Sequence, residues 1–331
     1  MRPMILDDMY KAAIELGMDK DTRKKRDFTS IFKKAKKDLK AKNTLTDEDT
    51  TWNPYDDCRI HHGKGRDVKK ILVGIDIQPS EVILAHLMKE SGVDGVVGHH
   101  PLGRASLGLY KVMDVQKQWM ENFGVPSNMV DDLMNPRMAE VQRAVLPSNH
   151  MRSVDAARVL DIPLMNIHSA SDMIAQHFVQ QIIDSARPKT VKNILDAMMG
   201  IPEYNEARKY GLGFNVLAGC ESDRCGKVVV KMAGGTSFGK QVYKELSASK
   251  VGTVVCMHAP ENHLEEAKKH HIRIINAGHM SSDSIGMNHV CDIWESEGVD
   301  IIPVSGFIRH SRLEARSPAK KKNRRGRPRK K

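Results

Sequence analysis

Three short motifs rich in histidine and aspartate each follow a run of apolar residues. They are Gly98-His99-His100-Pro101, His168-Ser-Ala-Ser-Asp172 and Gly278-His279-Met-Ser-Ser-Asp283. Neutral imidazole and carboxylate groups suit borderline divalent ions, and a carboxylate can bridge two ions about 3.5–4 Å apart. Together the motifs indicate a site for two divalent metal ions with coordination positions left for water.

Each motif alone has a less specific interpretation. Paired histidines also occur at His61-His62 and His270-His271, and we assign neither pair to a metal. An aspartate near the start of a helix is more often a cap than a ligand. A closed structural zinc site would favour thiolates, and no cysteine accompanies the three motifs. Their shared position after predicted strands favours a metal site over three unrelated surface features.

The elements that must position these residues begin at Ile71, where β-branched runs start to alternate with amphipathic helical patterns. Strands are predicted at 71–75, 94–98, 163–167, 228–232, 253–257, 272–275 and 299–304. Helices are predicted at 79–91, 112–123, 131–145, 151–160, from 172, at 188–199, 240–246 and 263–270, while 200–226 has no assignment. The alternation predicts an α/β fold of two related units with mainly parallel or mixed sheets. We expect the metal site on loops at the strand carboxyl ends, between the units.

The chain divides by composition into an extension, a core and a tail. Residues 1–50 are predicted to be a charged, solvated helical extension. The α/β core is predicted over 51–311, roughly as the halves 51–180 and 181–311, and residues 312–331 as a disordered basic tail. No apolar run is long enough to span a bilayer, and the five cysteines are scattered without a pairing pattern. We therefore expect a cytoplasmic protein with free thiols and no membrane partner.

The positive charge of the chain is concentrated in the tail. The formal net charge is +11, and residues 312–331 carry eleven Lys or Arg against one acid, so the remainder is nearly neutral. The tail segment Arg325-Gly326-Arg327-Pro328-Arg329 resembles an AT-hook, in which Arg-Gly-Arg-Pro enters the A·T minor groove. The alternative is a generic basic tail that binds any polyanion through counterion release. Either interpretation makes DNA or another polyanion a partner of residues 316–331.

A glycine-rich segment at 234–241 nearly matches a phosphate-binding loop. It reads GGTSFGKQ, with Gln241 where the P-loop requires a hydroxyl for magnesium. The substitution argues against a P-loop NTPase. Tight packing is the simpler interpretation, and binding of a substrate phosphate by the loop stays open.

Five segments carry a family resemblance over about residues 52–311. The segments ILVGIDIQ and DGVVGHHPL resemble the amino-terminal signature of the GTP cyclohydrolase I type 2-like family, also called NGG-interacting-factor-three-like proteins. YDDCRIHHG is similar to that family's early Trp-Asp-Asn-Gly motif. HSASD is similar to its His-Thr-x-x-Asp motif, and INAGHMSSD to its late Gly-His-x-x-x-Glu motif.

The resemblance implies a two-domain α/β fold, a dinuclear metal centre and often a toroidal homohexamer. The ligands it implies are His99, His100, Asp172, His279 and Asp283. His168 is assigned to the surroundings of the metals or to substrate, and Asp76 to a supporting role. Asp283 stands where many relatives have glutamate, and the shorter side chain could change the intermetal distance or the metal preference.

The favoured functional hypothesis is a metal-dependent hydrolase that uses a metal-activated water. The resemblance suggests a nucleotide substrate such as GTP. The alternative is a non-enzymatic metal chaperone or regulatory adaptor that its basic tail tethers to DNA. Histidine and carboxylate ligands are compatible with Zn, Fe, Mn, Co or Ni.

Overall fold

The computed structural model describes residues 3–41 and 49–313, in which helices alternate with short strands. The strands are β1 Met4–Ile5, β2 Arg59–His62, β3 Asp67–Val68, β4 Lys70–Gly74, β5 Gly95–Gly98, β6 Leu164–Asn166, β7 Asn215–Ala218, β8 Lys227–Lys231, β9 Val251–Cys256, β10 Arg273–Asn276 and β11 Asp300–Val304. The helices are α1 Leu6–Lys20, α2 Lys25–Lys40, α3 Pro79–Leu87, α4 Gly103–Val112, α5 Val115–Asn122, α6 Ser127–Val145, α7 Arg152–Leu160, α8 Ser169–Ala186, α9 Val191–Met198, α10 Pro202–Lys209, α11 Val242–Ala248, α12 Glu261–Lys269 and α13 His279–Ser296. Single turns of 3₁₀ helix lie at Asp49–Thr51 and Lys89–Ser91.

Five strands form the first sheet, in the order β11-β4-β5-β6-β2. The first four run parallel, and β2 pairs antiparallel with β6 at the edge. Residues 71–74 and 95–98 of its central strands are buried, as expected for parallel strands covered on both faces. Because β11 comes from the far end of the core, this sheet combines strands from both predicted halves. The boundary near residue 180 stays a prediction.

Four strands form the second sheet, in the order β7-β10-β9-β8. Strands β8, β9 and β10 are parallel, and β7 is antiparallel to β10 at the edge. The two sheets therefore share one plan, parallel strands with one antiparallel edge strand. The predicted α/β class with mainly parallel or mixed sheets is confirmed. In addition, β1 and β3 form a small antiparallel pair.

Helices α8 and α13 contact the cores beneath both sheets. Met173 of α8 and Val290 of α13 pack in one cluster with Ile71 of the first sheet. Ile183 of α8 and Ile285 of α13 belong to another cluster, which includes strand residues of the second sheet. The two helices are consequently buried over most of their length. They begin at the edge where both sheets present their strand ends.

The prediction of a solvated extension is wrong for α1. Its residues Leu6, Met9, Tyr10, Ala13 and Ile14 are at most 2% exposed and belong to the core of the first sheet. These positions follow the helical spacing of a buried face, which the dense charge of the other faces obscures in the sequence. Helix α2 differs, since Phe28 is its only fully buried residue.

Some helices and strands were not predicted from the sequence, and others have different bounds. The unassigned segment 200–226 contains α10 and β7, and the helix predicted from residue 172 begins at Ser169. The AT-hook-like core at 325–329 lies outside the residues that the structure describes. None of the helices within the described ranges is both long and apolar enough to cross a membrane.

Candidate metal centre

The carboxyl ends of the strands bring the predicted motifs together. His99 and His100 follow β5 directly, and Asp76 lies two residues beyond β4. His168 follows β6 by two residues and immediately precedes α8. Asp172 lies in the first turn of α8, and the α13 segment 279–283 supplies a histidine and an aspartate in its first turns. The ends of three strands and the starts of two helices therefore meet at one point between the sheets.

All five predicted ligands lie in this cluster. The Nε2 atom of His99 lies 3.4 Å from Asp172 Oδ1 and 3.4 Å from Asp283 Oδ1. The second oxygen of Asp283 lies 3.5 Å from His100 Nε2 and 3.7 Å from His279 Nε2. Asp283 thus faces three histidines through its two oxygens, the arrangement expected of a bridging carboxylate.

The cluster leaves several buried polar atoms without a hydrogen bond. These atoms are His99 Nε2, Asp172 Oδ1, Asp283 Oδ1 and Asp283 Oδ2. Buried polar atoms are nearly always paired, so a concentration of orphaned ones calls for a ligand. Two atoms bound to one tetrahedral metal ion at usual bond lengths are about 3.4 Å apart. The separations of 3.4–3.7 Å in the cluster are therefore compatible with metal binding.

The other ring nitrogen of three histidines is held by the protein. His99 Nδ1 lies 3.0 Å from the carbonyl oxygen of Ile167, and His100 Nδ1 lies 2.7 Å from Asp76 Oδ1. His168 Nδ1 lies 2.6 Å from Asp57 Oδ2. Such contacts fix the ring orientation and leave Nε2 available, as for most metal-binding histidines. The supporting role predicted for Asp76 has its geometric basis here.

His168 lies within the cluster itself and not only in its surroundings. Its Nε2 atom lies 3.7 Å from Asp172 Oδ2, and its ring is 4.9 Å from that of His99. Three ligand sets have atoms within 4.8 Å of one another, namely His99-His100-His168, His100-His279-Asp283 and His99-Asp172-Asp283. The available signal was the four-residue spacing to Asp172, which places both side chains on one face of a helical turn.

The candidate ligands are more buried than residues on strand-end loops would be. His99, Asp172 and Asp283 are at most 3% exposed, and both aspartates lie within helices. The two carboxylates therefore lie in the first helical turns beyond the strand ends and not on the loops themselves. The physical reason is that α8 and α13 begin directly at the strand ends, so that their first turns carry the carboxylates into the interior.

Burial and charge shift the pKa values of the cluster in opposite directions. Burial by itself would lower the pKa of His99, but the carboxylates of Asp283 and Asp172 outweigh burial and raise it well above its usual value. Burial would raise the pKa of Asp283, but His99 and His100 bring it below its usual range. A metal ion that binds here must therefore displace a proton from imidazole.

A narrow cavity of about 40 Å³ adjoins the cluster on the side of the second sheet. Asp172 and Asp283 form one wall, and Lys231, His258 and the glycine-rich segment 235–238 line the rest. Burial lowers the pKa of Lys231 to about 8 and that of His258 to about 4. The cavity has room for a few water molecules or one small polar group.

Comparison with known proteins gives structural matches. No protein-family model matches the chain, and no curated protein matches it. A NIF3 superfamily protein from Sphaerobacter thermophilus is 25% identical, with a TM-score of 0.74 over 92% of this chain and 100% of its own. Reduced HcgD from Methanocaldococcus jannaschii is 15% identical, with a TM-score of 0.49 over 80% of this chain and 93% of its own.

The Sphaerobacter match covers most of this chain and the whole of the other. It agrees with the resemblance that the motifs around His99, His168 and His279 carry in the sequence. The chain therefore has the fold of this NIF3 superfamily protein, and its motifs resemble those of the NIF3-like family.

Proposed function

We propose that the protein is a metal-dependent hydrolase whose centre holds two divalent ions. The observation that carries this proposal is the set of orphaned polar atoms in the cluster, above all both oxygens of the buried Asp283. A buried carboxylate with no hydrogen bond is costly unless a cation compensates it. Six side chains would hold the ions: His99, His100, His168, Asp172, His279 and Asp283.

Divalent ions in this position would lower the pKa of a bound water and polarise an electrophilic substrate atom. The residues of the chain perform the other tasks. Asp57 and Asp76 orient His168 and His100 through their Nδ1 atoms. The walls of the cavity exclude bulk water, which strengthens the electrostatic interactions of a bound group.

The adjoining cavity supports an enzyme over a metal carrier. A chaperone has to release its metal to a partner, whereas His99 and Asp283 are at most 1% exposed and the cluster reaches the surface mainly through His100 and His279. The cavity admits one polar group of a substrate next to the carboxylates. We propose a nucleotide, with GTP as the first compound to test, because of the family resemblance of the motifs.

The test is consumption of GTP by the metal-loaded protein and by a His100→Ala, Asp283→Ala double variant. The proposal predicts metal-dependent turnover in the parent and none in the variant. Two metal ions per chain without turnover of any nucleotide would favour the carrier. Turnover that persists after complete metal removal would contradict a metal-dependent hydrolase.

A further inference from the structure

We propose that Lys231 binds an anionic group of the substrate, a phosphate or a carboxylate, in the cavity beside the metal centre. The inference deepens the proposed function, on which it rests for the presence of a substrate. It assigns a task to a residue outside the histidine and aspartate motifs, and it concerns binding rather than turnover.

Lys231 is a buried cation that forms no ion pair with the described part of the chain. Lys231 is the last residue of β8 and is 7% exposed. Its Nζ donates a hydrogen bond of 2.9 Å to the carbonyl oxygen of Thr236. An ammonium group has three donors. Among residues 3–41 and 49–313, no carboxylate oxygen lies within ion-pair distance of this Nζ. The Asp172 carboxylate compensates the buried ammonium only in part and from beyond ion-pair distance, which indicates that an anion completes the site.

The surroundings hold Lys231 in a fixed position on the cavity wall. The Thr236 carbonyl that accepts its hydrogen bond also accepts one from Gln116 Nε2 at 2.7 Å. Gln116 Nε2 also donates to the carbonyl oxygen of Gly234, so this buried side chain holds the glycine-rich turn through two hydrogen bonds. The hydroxyl-bearing residues Thr236 and Ser237 line the same cavity. An anion beside Lys231 would therefore meet further donors.

The charge of the loaded centre points to the same class of ligand. Asp172 and Asp283 lie in the cluster, and Asp57 and Asp76 hydrogen-bond to its histidines. Their four negative charges fall one short of the charge of two divalent ions and Lys231 combined. An anionic substrate group compensates this excess, and a buried site increases the strength of that attraction.

A purely structural role for Lys231 makes a different prediction. If the lysine only ties β8 to the glycine-rich turn, Lys231→Met would loosen the turn and lower the melting temperature. If Lys231 instead serves to bind an anion, Lys231→Met removes an unfavourable buried charge. The melting temperature of the ligand-free variant then equals or exceeds that of the ligand-free parent.

The experiment is calorimetric titration of inorganic phosphate, and separately of acetate, into the full-length protein with and without metal. Parent, Lys231→Met and Lys231→Gln are compared with Lys227→Met, which removes an exposed lysine from the other end of the same strand. Metal content and melting temperature are measured on the same samples. The anion that binds more tightly shows whether the site takes a phosphate or a carboxylate group.

We expect both Lys231 variants to keep the parent's metal content and to bind the preferred anion at least ~10-fold more weakly, the loss of a charge-assisted hydrogen bond. Lys227→Met should bind like the parent. Unchanged anion affinity in the Lys231 variants, or a parent that binds neither anion with or without metal, overturns the inference. A parent that cannot be loaded with metal but still binds phosphate through Lys231 contradicts the proposed function alone.

Discussion

Gly286 of α13 packs directly against the backbone carbonyl of Ser171 in α8, and any Cβ atom at position 286 would overlap that carbonyl. Ser171 precedes Asp172 in the chain, and Gly286 follows Asp283 by one helical turn. The close approach of the two helices therefore sets the distance between the two carboxylates. Both reach the same atom, His99 Nε2, at 3.4 Å.

The first prediction is that Gly286→Ala damages both the fold and the metal centre. The added methyl group must separate α8 from α13, and overpacking of this kind costs about 1–3 kcal/mol of unfolding free energy. The same displacement should move Asp283 away from Asp172 and lower the bound metal. Urea unfolding and elemental analysis measure the two effects.

Gly200→Ala is the matched control for this variant. A Cβ atom there would have its nearest contact at 3.5 Å, from the carbonyl oxygen of Ala197, and Gly200 lies outside the cluster. Its metal content should equal that of the parent. Full metal occupancy in Gly286→Ala would show that the helix contact does not set the geometry of the centre.

The second prediction concerns Asp57, which supports the centre through His168. Asp57 Oδ2 accepts a hydrogen bond of 2.7 Å from Ser169 Oγ and lies 2.6 Å from His168 Nδ1. Loss of such a partner typically costs about 10–100-fold in metal affinity. We therefore expect Asp57→Asn to weaken metal binding by that factor in competition with a chelator of known affinity.

Asp56→Asn provides the comparison for Asp57→Asn. Asp56 pairs with Lys111 at 2.6 Å and has no hydrogen bond to a cluster histidine among the described residues. Its metal affinity should match the parent's. If the parent, Asp57→Asn and Asp56→Asn bind metal equally tightly, His168 is not a metal ligand. It would then belong to the surroundings of the metals or to the substrate site, as the sequence predicted.

The third prediction is that metal affinity falls as the pH falls. The raised pKa of His99 means that the metal-free centre retains a proton on imidazole that the metal has to displace. Binding should therefore release protons, and it should weaken progressively as the pH falls below the raised pKa of His99. Titration in buffers of different ionisation enthalpy measures the released protons. Affinity that does not change between about pH 6 and about pH 8 would contradict this coupling.

Local patterns in the sequence predicted the parallel strands, because apolar β-branched runs such as 71–75 are buried on both sides, but they did not predict the edge strands β2 and β7. They also placed His99, Asp172 and Asp283 after strand ends, whereas their meeting in one site was implied by the family resemblance, because two separate sheets contribute to it. Two features depend on distant contacts and could not be predicted in this way. The burial of α1 depends on its packing against α8, and the position of Lys231 depends on the approach of the second sheet to the cluster.

The fourth prediction concerns the tail, which lies beyond residue 313 and outside the described structure. If residues 325–329 act as an AT-hook, Arg325→Ala with Arg327→Ala should weaken binding to A·T-rich duplexes far more than binding to G·C-rich duplexes. A generic basic tail would lose affinity equally for both. Fluorescence anisotropy at fixed salt distinguishes these outcomes, and metal content should be unchanged in either case.

The most direct test of the metal centre is elemental analysis of the purified full-length protein beside Asp283→Asn and Asp161→Asn. Asp283 faces three histidines in the cluster, whereas Asp161 is exposed and pairs with His62 and Arg66. We predict about two divalent transition-metal ions per chain in the parent and in Asp161→Asn, and loss of metal in Asp283→Asn. A parent that contains no metal and cannot be loaded, or an Asp283→Asn variant with full metal content, would contradict the central claim.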